Sequence, residues 1–145
     1  MAEIGGLTPQ SPAGDIVGDF TKLAVWKKAH ELTVGVYRRS SEWPRFELFG
    51  LTSQARRAAS SVPANLAEGC GRNSDAELAR SARTALGSAS ELSYWLILAH
   101  DLDYIERAER DAFQESTSEV RRMLTSLERV SSMAAARSIR RSHRR

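Results

Sequence analysis

From Leu23 onward the apolar residues of this chain fall at helical spacing. Leu23, Trp26, His30, Thr33 and Tyr37 form one stripe, and Val25, Ala29, Leu32 and Val36 form the adjacent one. The pattern predicts a helix with two buried faces, Thr21 as its N-cap candidate, ending near Ser40 to Glu42 because Pro44 disfavours helical geometry at Trp43. A second helix is predicted from Leu51 to about Glu68, closed by Gly69, Cys70 and Gly71, where glycine supplies left-handed backbone. Pro63 lies inside it and deletes the bond to the Ala59 carbonyl, which predicts a kink. The small residues around it, Ala58, Ala59, Ser60, Ser61 and Ala64, let another helix approach closely.

Ser74 and Glu77 have the spacing of a capping box, and the helix they open places Leu78, Ala82, Ala85, Ala89, Leu92, Leu96 and Ala99 in alternate steps of four and three. Asp103 with Glu106 repeats the capping pattern. Phe113, Thr117, Val120, Leu124 and Leu127 then carry a fourth helix to about Val130. No segment alternates in the manner of a strand. The expected fold is therefore all-α, an antiparallel up-and-down four-helix bundle with a kinked second helix over residues 20–131. Residues 1–19, rich in Gly and Pro, are expected to be a flexible leader, and residues 132–145 a basic, Arg-rich tail.

Charge divides the chain in a way that its net +3 conceals. Residues 20–72 hold nine Lys or Arg against four Asp or Glu, residues 73–136 hold seven against eleven, and the last nine residues add five arginines. Without that tail the net charge is −2. A basic half facing an acidic half suits nucleic acid, a head-to-tail contact between subunits, or plain solvated helix faces. At 145 residues the chain suits one domain, and its apolar runs are too short and too interrupted for a membrane span, so a cytoplasmic protein is expected.

The inventory for catalysis is poor. Cys70 is the single cysteine, and His30, His100 and His143 share no motif with one another or with carboxylates. No enzyme activity, cofactor or metal is expected. Asn65 and Glu68, one helical turn apart, read either as a ligand pair or, preferably, as polar partners for backbone groups freed by Pro63. Arg56 and Arg57, beside Gln54, are candidates for RNA phosphates, for a subunit contact, or for an exposed basic face. Arg137, Arg140, Arg141, Arg144 and Arg145 suit a disordered arm that pairs guanidinium groups with phosphates, or a solubilising terminus.

The run from Leu51 to Arg72, LTSQARRAASSVPANLAEGCGR, resembles the signature of the four-helix-bundle family encoded by intervening sequences in bacterial 23S ribosomal RNA genes. WPRFELFGL at Trp43–Leu51, LGSASEL at Leu86–Leu92, and the Leu23, Val25 and Trp26 opening of the first helix add to it, as do Gln54, Pro63, Asn65, Glu68 and Gly69 within the block. The resemblance implies an antiparallel bundle assembling into a ring-shaped homopentamer with no established enzymatic activity. The accessory proteins of diversity-generating retroelements are similar in pattern, and there a basic pentamer partners a reverse transcriptase and nucleic acid. The expected function is a non-enzymatic oligomeric accessory protein associated with RNA or other nucleic acid. The alternative is a structural or protein-interaction scaffold that binds a protein partner and no nucleic acid.

Overall fold

A computed structural model describes residues 19–145, so the expected leader lies outside the described residues except for Asp19. Four helices follow a short 3-10 turn at Phe20–Lys22: α1 (Ala24–Ser40), α2 (Leu51–Gly71), α3 (Asp75–Asp101) and α4 (Arg107–Ser142). There is no strand among the described residues.

Pairs across each seam run in opposite senses. Thr33 meets Ala59 and Ser40 meets Arg56 between α1 and α2. Ser61 meets Ser88 and Arg57 meets Glu91 between α2 and α3. Gln114 meets Ser93 and Glu128 meets Arg83 between α4 and α3, and α4 returns to α1 through Lys28–Glu119 and Arg39–Glu109. The fold is an up-and-down four-helix bundle. Three of its ion pairs, Lys28–Glu119, Arg39–Glu109 and Arg57–Glu91, join a base in the first half of the chain to an acid in the second. Part of the charge asymmetry between the halves is thus satisfied within one molecule.

The seam predicted on α3 is the one observed: Leu78, Ala82, Ala85, Ala89, Leu92, Leu96 and Ala99 are all buried. The four alanines among these seven positions let α2 and α4 pack closely on α3. On α1 only one of the two expected stripes is core. Val25, Ala29, Leu32 and Val36 are buried, with Thr33, whereas His30 and Tyr37 are exposed and Leu23 and Trp26 are half-buried. A helix in contact with α2 and α4 alone has only one face to bury.

Pro63 is buried in an unbroken α2, and the carbonyl it leaves free has a partner from another helix. The single Thr33 hydroxyl hydrogen is shared between Ala59 O, at 3.0 Å from Oγ1, and Ala29 O, at 2.8 Å. The polar partner expected from Asn65 and Glu68 therefore comes from α1 instead. Asn65 Nδ2 donates to Ser61 O at 2.7 Å and to Ser61 Oγ at 2.9 Å, and Glu68 pairs with Arg72.

The predicted helix ends need three corrections. α2 continues through Gly69 and Cys70, and a Cβ at Gly69 would lie 2.6 Å from Cβ and Oγ of Ser81, so this glycine serves close packing of α2 on α3. Asn73, at φ 57°, supplies the left-handed residue after the helix. Thr21 sits in the 3-10 turn, where Asp19 accepts from its amide, and the residue before α1 is Leu23. Asp103 has φ 63° and belongs to the turn, so Glu106, in a capping box with Glu109, opens α4. Ser74 does cap α3, accepting from the Glu77 amide at 3.1 Å.

α4 differs most from expectation. It runs 36 residues to Ser142 instead of stopping near Val130, so the basic tail is helical. Once the packed part of α4 has formed, adding turns needs no new nucleus. Ala134, Ala135, Ala136 and the arginines are strong helix formers, and cations near a helix C-terminus are favoured by its dipole. No helix among the described residues is long and apolar enough to cross a membrane.

Candidate nucleic-acid interface

The seven arginines singled out in the sequence separate into two groups. Arg56 is occupied: its Nε donates to Ser40 Oγ at 2.8 Å, its Nη2 to Tyr37 O at 3.4 Å, and its guanidinium lies 4.9 Å from the centre of the Tyr37 ring. It satisfies the C-terminal end of α1. Arg57 bonds to Gln54 Oε1 at 2.8 Å and Glu91 Oε1 at 3.1 Å, and Glu91 also accepts from Trp95 Nε1 at 3.2 Å. Both arginines therefore serve seams of the bundle.

The other five are free. Among the described residues, no carboxylate pairs with Arg137, Arg140, Arg141, Arg144 or Arg145. Arg83 of α3 lies opposite Glu128 of α4, and the two helices are antiparallel, so the start of α3 at Asp75 faces the region of Ala136. Beyond that point α4 has no neighbour among the described residues, and every residue from Ala136 to Arg145 is exposed. Glu128 is the last tie to the bundle. Hydrogen bonds from Ser132 and then Arg83, both at 2.8 Å, hold its carboxyl below the usual carboxylate range.

Successive helical residues are about 100° apart, so Arg137, Arg140 and Arg141 lie within an arc of about 100°, and Arg144 and Arg145 follow directly after the end of α4 at Ser142. The core face of α4, marked by Thr117, Val120 and Leu124, points away from that arc. Ile139 and Ser138 separate the turns of arginine and lie outside it. The result is a cationic ridge on a helix projecting from one end of the bundle.

The residues of the family-like block sit elsewhere. Gln54, Pro63, Asn65, Glu68 and Gly69 run along α2, with Pro63 and Gly69 buried and Glu68 exposed. Ser61 links Asn65 to Ser88 of α3 at 2.9 Å, which makes this block a packing motif between α2 and α3. The histidines are scattered. His30 stacks on Trp26 at 5.1 Å, His100 is half-buried at the far end of α3, and His143 follows α4. Among the described residues, no group of three His, Cys, Asp or Glu side chains could hold a metal ion. Burial pushes the Cys70 thiol up, away from the thiolate form.

One surface was missed in the sequence. Phe46 and Phe49 are 78% and 92% exposed on the turn between α1 and α2, with Leu48 at 49%. The available signal was two phenylalanines between Pro44 and Gly50, outside any helical stripe.

Comparison with known proteins agrees with the bundle. None of the curated proteins matches the chain. Among solved structures, it is similar to a protein of unknown function from the S23 ribosomal protein family of Bacteroides thetaiotaomicron VPI-5482, with 25% identity and a TM-score of 0.66 over 72% of this chain and 95% of that one. Residues 21–126 match the model of the 23S rRNA-intervening sequence protein, and the chain belongs to that family.

Proposed function

We propose that this chain is a non-enzymatic, homo-oligomeric accessory protein of the cytoplasm that binds RNA through the free end of α4. The observation that carries the reading is the arrangement of Arg137, Arg140 and Arg141 on one face of the last turns of α4, with Arg144 and Arg145 directly after it and, among the described residues, no carboxylate paired to any of the five. Guanidinium groups on consecutive turns of a rod meet phosphate oxygens along a backbone, and a preformed helix spends less entropy on binding than a disordered arm. The family's link to intervening sequences of 23S rRNA makes RNA the polyanion of choice. A ring of five copies would present five such ridges, and avidity would multiply their individual weak binding where several reach one RNA. Arg56, bonded to Ser40 and Tyr37 of α1, and Arg57, paired with Glu91, lie on the bundle itself and are not needed for this reading.

The test is RNA binding by the full chain and by a chain ending at Ala136, at one fixed salt concentration. The full chain is expected to bind about a hundredfold more tightly than the shortened one. Equal binding by the two would remove the α4 end from the function and favour a protein-binding scaffold.

A further inference from the structure

At the opposite end of the bundle from the arginine ridge, the α1–α2 connection is a built turn. Glu47, Leu48 and Gly50 amides donate to Pro44, Arg45 and Glu47 carbonyls at 2.9, 3.1 and 2.9 Å, and Trp43, only 6% exposed, plugs the turn into the core beside Tyr104. The turn is held rigid while Phe46 and Phe49 point outward. Rigid, exposed aromatic side chains are the composition of an interface anchor, since little further ordering is needed when they are buried.

The same molecule also carries a shallow apolar groove. Between α1 and α4, Leu23, Ala24, Val25, Arg122, Met123 and Ser126 line a predominantly apolar groove of about 400 Å³. Arg122 is exposed on its wall, has no ion-pair partner among the described residues, and Lys27 follows one turn along α1. The turn brings the opposite charge in the half-buried Glu47, between Phe46 and Leu48, with the exposed Arg45 on the other side of Phe46. The molecule's own turn cannot reach its own groove, because α1, 17 residues or about 25 Å long, separates them.

We propose that the Phe46–Phe49 turn of one copy inserts into the α1/α4 groove of a second copy, with Glu47 meeting Arg122 and Lys27. This rests on the homo-oligomeric part of the proposed function and names the contact that builds it. The contact is head-to-tail, so each copy offers one turn and one groove, and a rotation that closes gives a ring.

The experiment is light scattering over a concentration series, with helicity checked by circular dichroism. The double variant Phe46→Ser, Phe49→Ser changes only exposed side chains and keeps its helicity, while the concentration needed for assembly rises about tenfold or more. Glu47→Arg and Arg122→Glu each weaken assembly, and combining them restores it. In a Cys70→Ser background, Phe49→Cys and Met123→Cys together give covalent oligomers under oxidation, whereas either cysteine alone does not. A wild-type oligomer that is indifferent to all of these substitutions overturns the proposed contact and leaves oligomerisation standing. A wild-type monomer overturns both.

Discussion

α4 contains two regions with the same backbone and opposite surroundings. Up to Ser132 it buries Thr117, Val120, Leu124 and Ser131, and Arg83–Glu128 ties it to α3. From Ala136 onward every residue is exposed, and the helix continues without tertiary support. The first region is positioned by what it packs against. The second is held by helix propensity and by extension from the first, so its side chains are free to be chosen for an external partner. Stability and binding should therefore separate along a single helix, and substitutions on its two parts should have different readouts.

The largest effect on stability is expected in the packed region. Leu124→Ala removes a fully buried side chain and should cost about 3 kcal/mol in denaturant unfolding, while Ile139→Ala, on the free end, should change stability by less than about 0.5 kcal/mol. If the two substitutions cost the same, the free end is packed after all. Thr33→Val should cost about 1–2 kcal/mol, because it strands the Ala59 carbonyl that Pro63 leaves without an amide partner. The unfolding midpoint of that variant beside the wild type measures it directly.

A smaller, pH-dependent effect is expected where α4 begins. Hydrogen bonding from Arg39 holds the Glu109 carboxyl below the usual carboxylate range, and Arg39 also donates to Tyr104 O at 3.2 Å. A carboxylate whose pKa is depressed by folding stabilises the fold above its unfolded value, near about 4.3, and loses that contribution as pH falls through the folded value. The melting temperature of Glu109→Gln should therefore lie below that of the wild type at neutral pH, and the gap should close on acidification below about pH 4. A gap independent of pH would assign the loss to packing. The pair is partly solvated, so this effect ranks below the two core substitutions.

The parts of the fold legible in the sequence are those where burial dictated residue type. All seven seam positions of α3 could be read because helices on both sides of α3 demand apolar residues at those steps. The α1 stripes were over-read because Trp26 and His30 look like core by type, yet stack on one another near the surface. Gly69 carried a signal with two meanings: glycine ends helices and also permits close approach, and only the position of Ser81 decides between them. The cations of the candidate site were legible, but not their grouping. The partners of Arg56 and Arg57 in the bundle, Ser40 and Glu91, are residues distant in sequence. Arg137, Arg140 and Arg141 share a face only because α4 runs on to Ser142, since a disordered arm has no face.

The most direct test of that face keeps the charge and moves it. The variant Arg137→Ser, Ser138→Arg, Arg141→Ser and Ser142→Arg conserves composition and net charge while widening the arc of the helical arginines from about 100° to about 200°. RNA affinity at fixed salt should fall about tenfold, with helicity and unfolding unchanged, if the ridge is the binding surface. Unchanged affinity would mean that charge alone suffices and would contradict the central claim that one face of α4 is built to meet RNA.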